Sequence, residues 1–98
     1  MTAASLKAAG DGQWQLAGDL DFNSVPDVWD QLAPMVEQRH ELSLSLHGVV
    51  RTNSAALALL VEALDHARRH GCRLQFHDLP ADLLDLARMS RCDTLLQG

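Results

Sequence analysis

Two shortages in this sequence, of cysteines and of basic residues, exclude several classes of function. The 98 residues include only Cys72 and Cys92, widely spaced and without a CxxC arrangement, so neither a disulfide framework nor a cysteine zinc site is predicted. Eight basic residues against 13 acidic ones give a net charge of −5, which leaves no basic surface for a phosphate backbone. No apolar run approaches a membrane span, and the first 12 residues lack a signal-peptide core. We therefore expect a cytoplasmic protein with reduced cysteines that does not bind nucleic acid.

The length and composition favour one globular domain over residues 1–98. A chain of 98 residues of which 47% are hydrophobic can fold without disulfide or metal cross-links. The sequence has no internal repeat, linker or low-complexity segment.

The segment from Leu42 to Leu64 is the most informative part of the chain. Leucines alternate with polar residues up to Leu46, as on a strand, and from Leu57 the apolar spacing becomes helical. The polar turn 51–54 lies between the two patterns. Asn53 or Ser54 is suited to cap the helix, which would place polar groups beside the free N–H groups of a helix N-terminus. This turn is the predicted functional site.

The other elements follow from turn and cap signals. The predicted order is a hairpin of strands 5–9 and 13–17, a helix from Ser24 to about Arg39, strand 41–46, helix 54–70, strand 73–77 and a helix over about 80–91. Strands 41–46 and 73–77 should be parallel because a helix joins them. The alternating strands predict a sheet covered by helices mainly on one face.

The first half of the sequence also predicts the environment or role of several individual residues. Leu6 and Ala8 are predicted to face the core. Ser24 is the predicted cap of the first helix, and Pro34 should kink or weaken that helix before it stops ahead of residue 41. Trp29 is placed in the core or at the edge of a groove.

Two histidines on one helix have metal-ligand spacing. His66 and His70 are four residues apart, with Cys72 nearby. A third ligand would have to come from beyond the helix, so a solvated helix face is favoured and no metal or other cofactor is expected.

Catalytic signals are weak. Asp19 and Asp21 are interpreted as solvated or capping groups, because a catalytic carboxylate pair also needs a cleft and shifted pKa values. Ser54 has no G-x-S-x-G context and no designated base. We expect no catalytic residues.

The order of elements and one motif resemble the STAS domain family. The family motif, Asp followed by one or two Ser/Thr and then Gly-Leu, corresponds to residues 53–57, Asn-Ser-Ala-Ala-Leu. The resemblance implies an α/β fold with a mixed four-stranded sheet and about three helices, as in anti-sigma factor antagonists. The greatest similarity is to the small STAS subunits of Mla-type phospholipid-transport ABC complexes, and it lies in residues 16–21, Trp29, residues 57–60 and residues 86–88.

The departures from the family motif bear on mechanism. In partner-switching antagonists the phosphorylated serine is the second residue after the acid, and that position is Ala55 here. The acid itself is replaced by Asn53. Ser54 keeps the hydroxyl that the Mla-type sequences retain directly after the acid. The resemblance therefore implies that the antagonist phosphorylation switch does not operate in this chain.

The resemblance implies a non-catalytic subunit, without a cofactor, that binds and supports the ATPase of an Mla-type complex. Through the ATPase it would contact the permease and lie at the inner membrane, where the complex maintains outer-membrane lipid asymmetry. An anti-sigma factor antagonist in a partner-switching pathway is the alternative.

The predicted docking surface is the polar turn 51–54, which we call the motif turn, together with the start of the helix that follows it. Small alanines would allow close approach, Leu59 is expected to be partly exposed beside them, and polar residues would form a rim. The predicted partner-binding residues are Thr52, Asn53, Ser54, Ala55, Ala58, Leu59 and Glu62.

Overall fold

The computed structural model describes residues 3–91, which form one four-stranded sheet and three helices. In chain order the elements are β1 (Ser5–Gly10), β2 (Gln13–Leu20), α1 (Val25–Gln38), β3 (Glu41–Thr52), α2 (Ser54–His70), β4 (Arg73–His77) and α3 (Ala81–Met89). The strands lie side by side in that same order. β1 and β2 are antiparallel, whereas β2–β3 and β3–β4 are parallel. The predicted mixed sheet and the parallel pairing of 41–46 with 73–77 are confirmed.

The two long helices run side by side in the same direction. Each helix joins two parallel strands: α1 connects β2 to β3, and α2 connects β3 to β4. Both helices therefore run antiparallel to these three strands. On β3, Leu42, Leu44 and Leu46 are buried under this layer, while Ser43 and Ser45 between them remain partly accessible. The alternation of leucine and serine, which predicted a sheet covered by helices mainly on one face, therefore matches the observed burial of these side chains. Gly71 ends α2 in the left-handed conformation (φ 71°), which glycine adopts readily.

The strands β2 and β3 are longer than predicted. β3 continues through Thr52 and β2 through Leu20, because residues 17–20 of β2 pair with residues 48–52 of β3. Register shifts interrupt this pairing, so the period-two pattern that marks a strand in the sequence is lost there. Arg51 and Thr52, predicted as turn residues, are the last residues of a strand.

Two smaller predictions also need correction. Ala8 is exposed instead of facing the core, because β1 is an edge strand with a neighbour on one side only. The last helix ends at Met89, short of the predicted residue 91, and Arg91 takes a left-handed φ of 58° that cannot continue a helix. Leu6 does pack against the core, and α1 ends at Gln38, ahead of residue 41 as expected.

Candidate partner-binding site

Asn53 fixes the start of α2. Its side-chain Oδ1 accepts a hydrogen bond from the N–H of Ala55 (2.8 Å), and its backbone carbonyl accepts one from the N–H of Ala56 (3.0 Å). Of the two predicted caps, Asn53 is the one that acts. The interpretation of Ser54 as a cap is wrong, because Ser54 is already the first residue of the helix. Its side chain is exposed at the helix N-terminus.

A polar cleft of about 280 Å³ lies where β2 and β3 end. The hydroxyl oxygen of Thr52 is buried beside it and has no hydrogen-bond partner among residues 3–91. A buried polar group without a partner costs about 1–3 kcal/mol, so a hydrogen-bonding group that enters the cleft gains by reaching it. The cleft is lined by Asp19, Leu20, Asp21, Arg51, Thr52 and Asn53.

The acidic residues near this cleft hold the loop between β2 and α1. The Asp21 carboxylate accepts hydrogen bonds from the N–H groups of Asn23 (2.9 Å) and Ser24 (3.0 Å), as expected of a capping group. The Ser24 hydroxyl donates to the carbonyl of Asp19 (2.8 Å) and accepts from the N–H of Asp21 (3.0 Å). Ser24 is the N-cap residue of α1, as predicted, and its carbonyl accepts a hydrogen bond from the N–H of Val28 (3.1 Å), but its side chain makes no capping bond to the helix. Asp19 is buried, not solvated, because β2 continues past it.

A mainly apolar groove lies between the first turns of α1 and the second and third turns of α2. Its volume is about 280 Å³, and we call it the α1–α2 groove; it is lined by Val25, Pro26, Trp29, Ala58, Leu59 and Glu62. Ala58 and Glu62 are exposed on α2. Trp29 is half-buried and also packs against the core, which confirms its predicted place at a groove edge. Ser54 lies one helical turn before Ala58 on the same side of α2, so the motif turn is next to the groove along the helix.

Two of the predicted contact residues are covered by the fold. Leu59 is 2% exposed, so the expectation that it is partly exposed is wrong. Ala55 is 6% exposed. Leu59 is covered because it belongs to the core between α2, the sheet and α1. Leu59 therefore forms the floor of the groove, while Ser54, Ala58 and Glu62 form the accessible surface.

Phe22 was missed by the sequence reasoning. It is 70% exposed in the loop between β2 and α1, at the same end of the sheet as the start of α2. A single exposed apolar side chain is ordinary on a protein surface, so Phe22 adds to a docking surface only through its place at the same end of the sheet as the motif turn. The signal available in the sequence was a phenylalanine between Asp21 and Asn23, outside any apolar pattern.

Comparison with known proteins identifies the family. Residues 5–97 match the family model described as "Mlab, STAS domain". The chain belongs to the STAS domain family. Among residues 3–91 of this STAS domain, no helix is both long and apolar enough to cross a bilayer.

The relatives of this STAS domain include anti-sigma factor antagonists. The anti-sigma-B factor antagonist of Bacillus subtilis (strain 168) is 29% identical over 76 residues, which are 78% of this chain and 70% of the relative. The unphosphorylated anti-sigma factor antagonist SpoIIAA superposes with a TM-score of 0.74 at 11% identity, covering 98% of this chain and 86% of the other. An anti-sigma factor antagonist from Mycobacterium paratuberculosis gives a TM-score of 0.78 at 13% identity, with coverages of 98% and 83%. The two structures establish the shared fold.

Cys72 of the STAS domain follows α2 and is buried. Burial raises the pKa of its thiol above the ordinary value, and the nearby Arg39 guanidinium partly opposes that shift. The folded state thus favours the neutral thiol. The resulting stability is present below the ordinary thiol pKa of about 8.5 and is lost as the pH rises through the higher folded-state pKa.

We expect the unfolding free energy to fall more steeply with rising pH above about 8.5 in the natural protein than in Cys72→Ala. Urea unfolding at a series of pH values measures both slopes. Cys92 is present in both proteins, so its titration cancels. Equal slopes would contradict a raised pKa for Cys72.

Proposed function

We propose that this STAS domain, spanning residues 1–98, is a non-catalytic cytoplasmic subunit of an Mla-type phospholipid-transport ABC complex. It binds the ATPase subunit, supports its activity, and through it lies beside the permease at the inner membrane. The complex then acts to maintain outer-membrane lipid asymmetry. The observation that carries the proposal is the accessible α1–α2 groove next to the motif turn. The "Mlab" description of the matching family model supports the assignment to this type of complex.

The groove has the make-up of a small protein-docking surface. Trp29 offers a large apolar side chain that is already held by the core, so little conformational entropy is lost when a partner covers it. Ala58 is small and exposed, which lets partner atoms approach the helix backbone. Glu62 places a charged group at the rim, as in protein interfaces with an apolar centre. These features favour a partner helix or loop with apolar side chains.

The start of α2 favours constitutive binding over a phosphorylation switch at residue 55, the position of the phosphorylated serine in partner-switching antagonists. Ala55 has no hydroxyl, is buried, and has its N–H engaged by the Asn53 side chain. A phosphate could not be attached there. Docking would therefore depend on the shape of the turn and not on its modification.

An anti-sigma factor antagonist is the second candidate function. Its support is the 29% identity to the Bacillus subtilis antagonist, together with the exposed hydroxyl of Ser54 at the N-terminus of α2. A helix N-terminus stabilises a phosphate, so a modified Ser54 would be tolerated by the fold. Incubation with a cognate kinase and ATP, followed by mass spectrometry, would favour this candidate if phosphate appeared on Ser54 or Thr52 in the natural protein and was lost from the corresponding alanine variant.

Trp29→Ala should weaken copurification of the ATPase and permease with the STAS domain. The half-buried ring should also contribute to folding, and we expect a loss of about 2 kcal/mol of stability, below the 3–5 kcal/mol of a fully buried tryptophan. Pull-down from a membrane extract measures binding, and a thermal melt shows that the variant is folded at the assay temperature. Met89→Ala is the control, because Met89 is 79% exposed on α3, away from the groove. Unchanged copurification with folded Trp29→Ala would contradict docking at the groove.

A further inference from the structure

Three metal-ligating side chains meet on the surface of the α1–α2 pair. Glu37 lies near the end of α1, and His66 and His70 lie on consecutive turns of α2. One ligand atom from each falls within 4.8 Å of the other two. The sequence expectation of no metal rested on a missing third ligand, with Cys72 as the nearby candidate. Cys72 is buried and is not part of this group, and Glu37, 29 residues before His66, takes its place.

The hydrogen bond of His70 leaves one ring nitrogen ready to bind a cation. Its Nδ1 lies 2.9 Å from the backbone carbonyl oxygen of His66. A carbonyl oxygen only accepts, so Nδ1 carries the proton, and in the neutral ring Nε2 keeps its lone pair. Metal-bound histidines in proteins commonly donate their other N–H to a carbonyl or carboxylate, which fixes the ring and its tautomer.

His66 and Glu37 already share a position that a cation can occupy. Nε2 of His66 lies 2.8 Å from Oε2 of Glu37, so a proton bridges the ring and the carboxylate. When a divalent ion takes the place of that proton, both atoms become ligands, and the neutral His66 ring then carries its N–H proton on Nδ1. The His66 side chain is only 19% exposed and its ring meets the Trp29 ring edge to face, with centroids 5.3 Å apart. This ligand is therefore held in place before any ion arrives.

We propose that Glu37, His66 and His70 form a Zn²⁺ site that links α1 to α2. Two imidazoles and one carboxylate are a ligand set that zinc takes, and water can fill the fourth position. Zn–ligand distances near 2.0–2.1 Å put tetrahedral ligand atoms about 3.3 Å apart, so the Glu37 and His66 atoms, now 2.8 Å apart, must separate slightly, and any ligand atoms as far apart as 4.8 Å must approach. Glu37 and His70 are exposed and can rotate to do so. The ion would join the two helices beside Trp29, whose ring contacts His66 and also lines the α1–α2 groove.

The test uses chelator-treated protein without a polyhistidine tag. Zinc titration by calorimetry should give one ion per chain, and zinc should raise the melting temperature by an amount that EDTA reverses, since a ligand that binds only the folded state stabilises it. His70→Ala and Glu37→Gln should each weaken zinc binding at least tenfold. Both residues are exposed, so the variants should remain folded, and Glu37→Gln can still accept a hydrogen bond from His66.

A second readout locates the ion beside Trp29. In a Trp14→Phe background Trp29 is the only tryptophan, and Cu²⁺, which binds such sites more tightly than Zn²⁺, should quench its fluorescence. Quenching should disappear in His70→Ala and persist in the control His40→Ala, which removes an exposed histidine outside the group.

Three results would overturn the proposal. One is the absence of a zinc-dependent melting shift in the natural protein. Another is unchanged zinc affinity in both His70→Ala and Glu37→Gln, which would leave His66 and Glu37 as an ion pair only. The third is a doubling of mass on zinc addition, measured by light scattering, because it would place the ion between two chains.

Discussion

Ser54→Arg is expected to abolish binding of the ATPase subunit while the STAS domain stays folded. Asn53, not Ser54, caps α2, so the substitution removes no capping bond and should change stability by less than about 1 kcal/mol, mainly through a cation near the helix N-terminus. At an interface the same side chain must displace the partner or bury an unpaired charge, which costs several kcal/mol. A pull-down with purified ATPase and a thermal melt of the same variant measure the two effects.

Ala81→Arg is the matched control for this variant. Ala81 is the first residue of α3, as Ser54 is of α2, and it is also exposed. Both substitutions therefore place an arginine at the same position of a helix, and only one lies beside the groove. Ala81→Arg should bind the ATPase normally. If folded Ser54→Arg also bound normally, the motif turn would not be the docking surface.

Gly18→Ala should cost about 3 kcal/mol or more of the unfolding free energy. Gly18 lies buried in β2 with φ +90°, a conformation that side chains rarely adopt. An added Cβ would also overlap the backbone carbonyl of Ala3, which is not free to move as a flexible side-chain end would be. Backbone strain of about 1–3 kcal/mol and overpacking of about 1–3 kcal/mol act together. Urea unfolding of the variant measures the sum.

Gly71→Ala separates the two contributions. Gly71 also has a positive φ, of 71°, but an added Cβ would meet nothing within 4 Å. This variant should therefore show the conformational cost alone, about 1–2 kcal/mol. A loss in Gly18→Ala no larger than in Gly71→Ala would mean that the chain near Ala3 moves aside without cost.

The local patterns predicted most of the fold. Helix 54–70 and strand 73–77 have their predicted limits, because a run of helical spacing ends at Gly71 and the strand after it is short and regular. The ends of β2 and β3 were not predictable in the same way. They are set by pairing between residues 17–20 and 48–52, which are distant in the chain and irregular in register.

The position of the motif turn between β3 and α2 was predictable, whereas binding of a partner there stays a prediction. The change from a strand pattern to a helix pattern marked residues 52–54. The exposure of Leu59 could not be read from α2 alone, because α1 packs over it. Glu37 was missed as a partner of His66 for a similar reason: the two meet only because α1 and α2 run side by side. Contacts between helices are absent from the periodicity of either helix.

The order of the strands across the sheet has a consequence for synthesis on the ribosome. Each strand pairs with the one made just before it, so no strand has to be inserted between two that are already in place. Residues leave the ribosome from the N-terminus, and the sheet can grow from the β1 edge as each crossover helix is completed. Until α2 and β4 emerge, however, the leucines of β3 lack most of their cover, so nascent chains that have emerged from the ribosome only as far as residue 53 should be the intermediates most prone to aggregate.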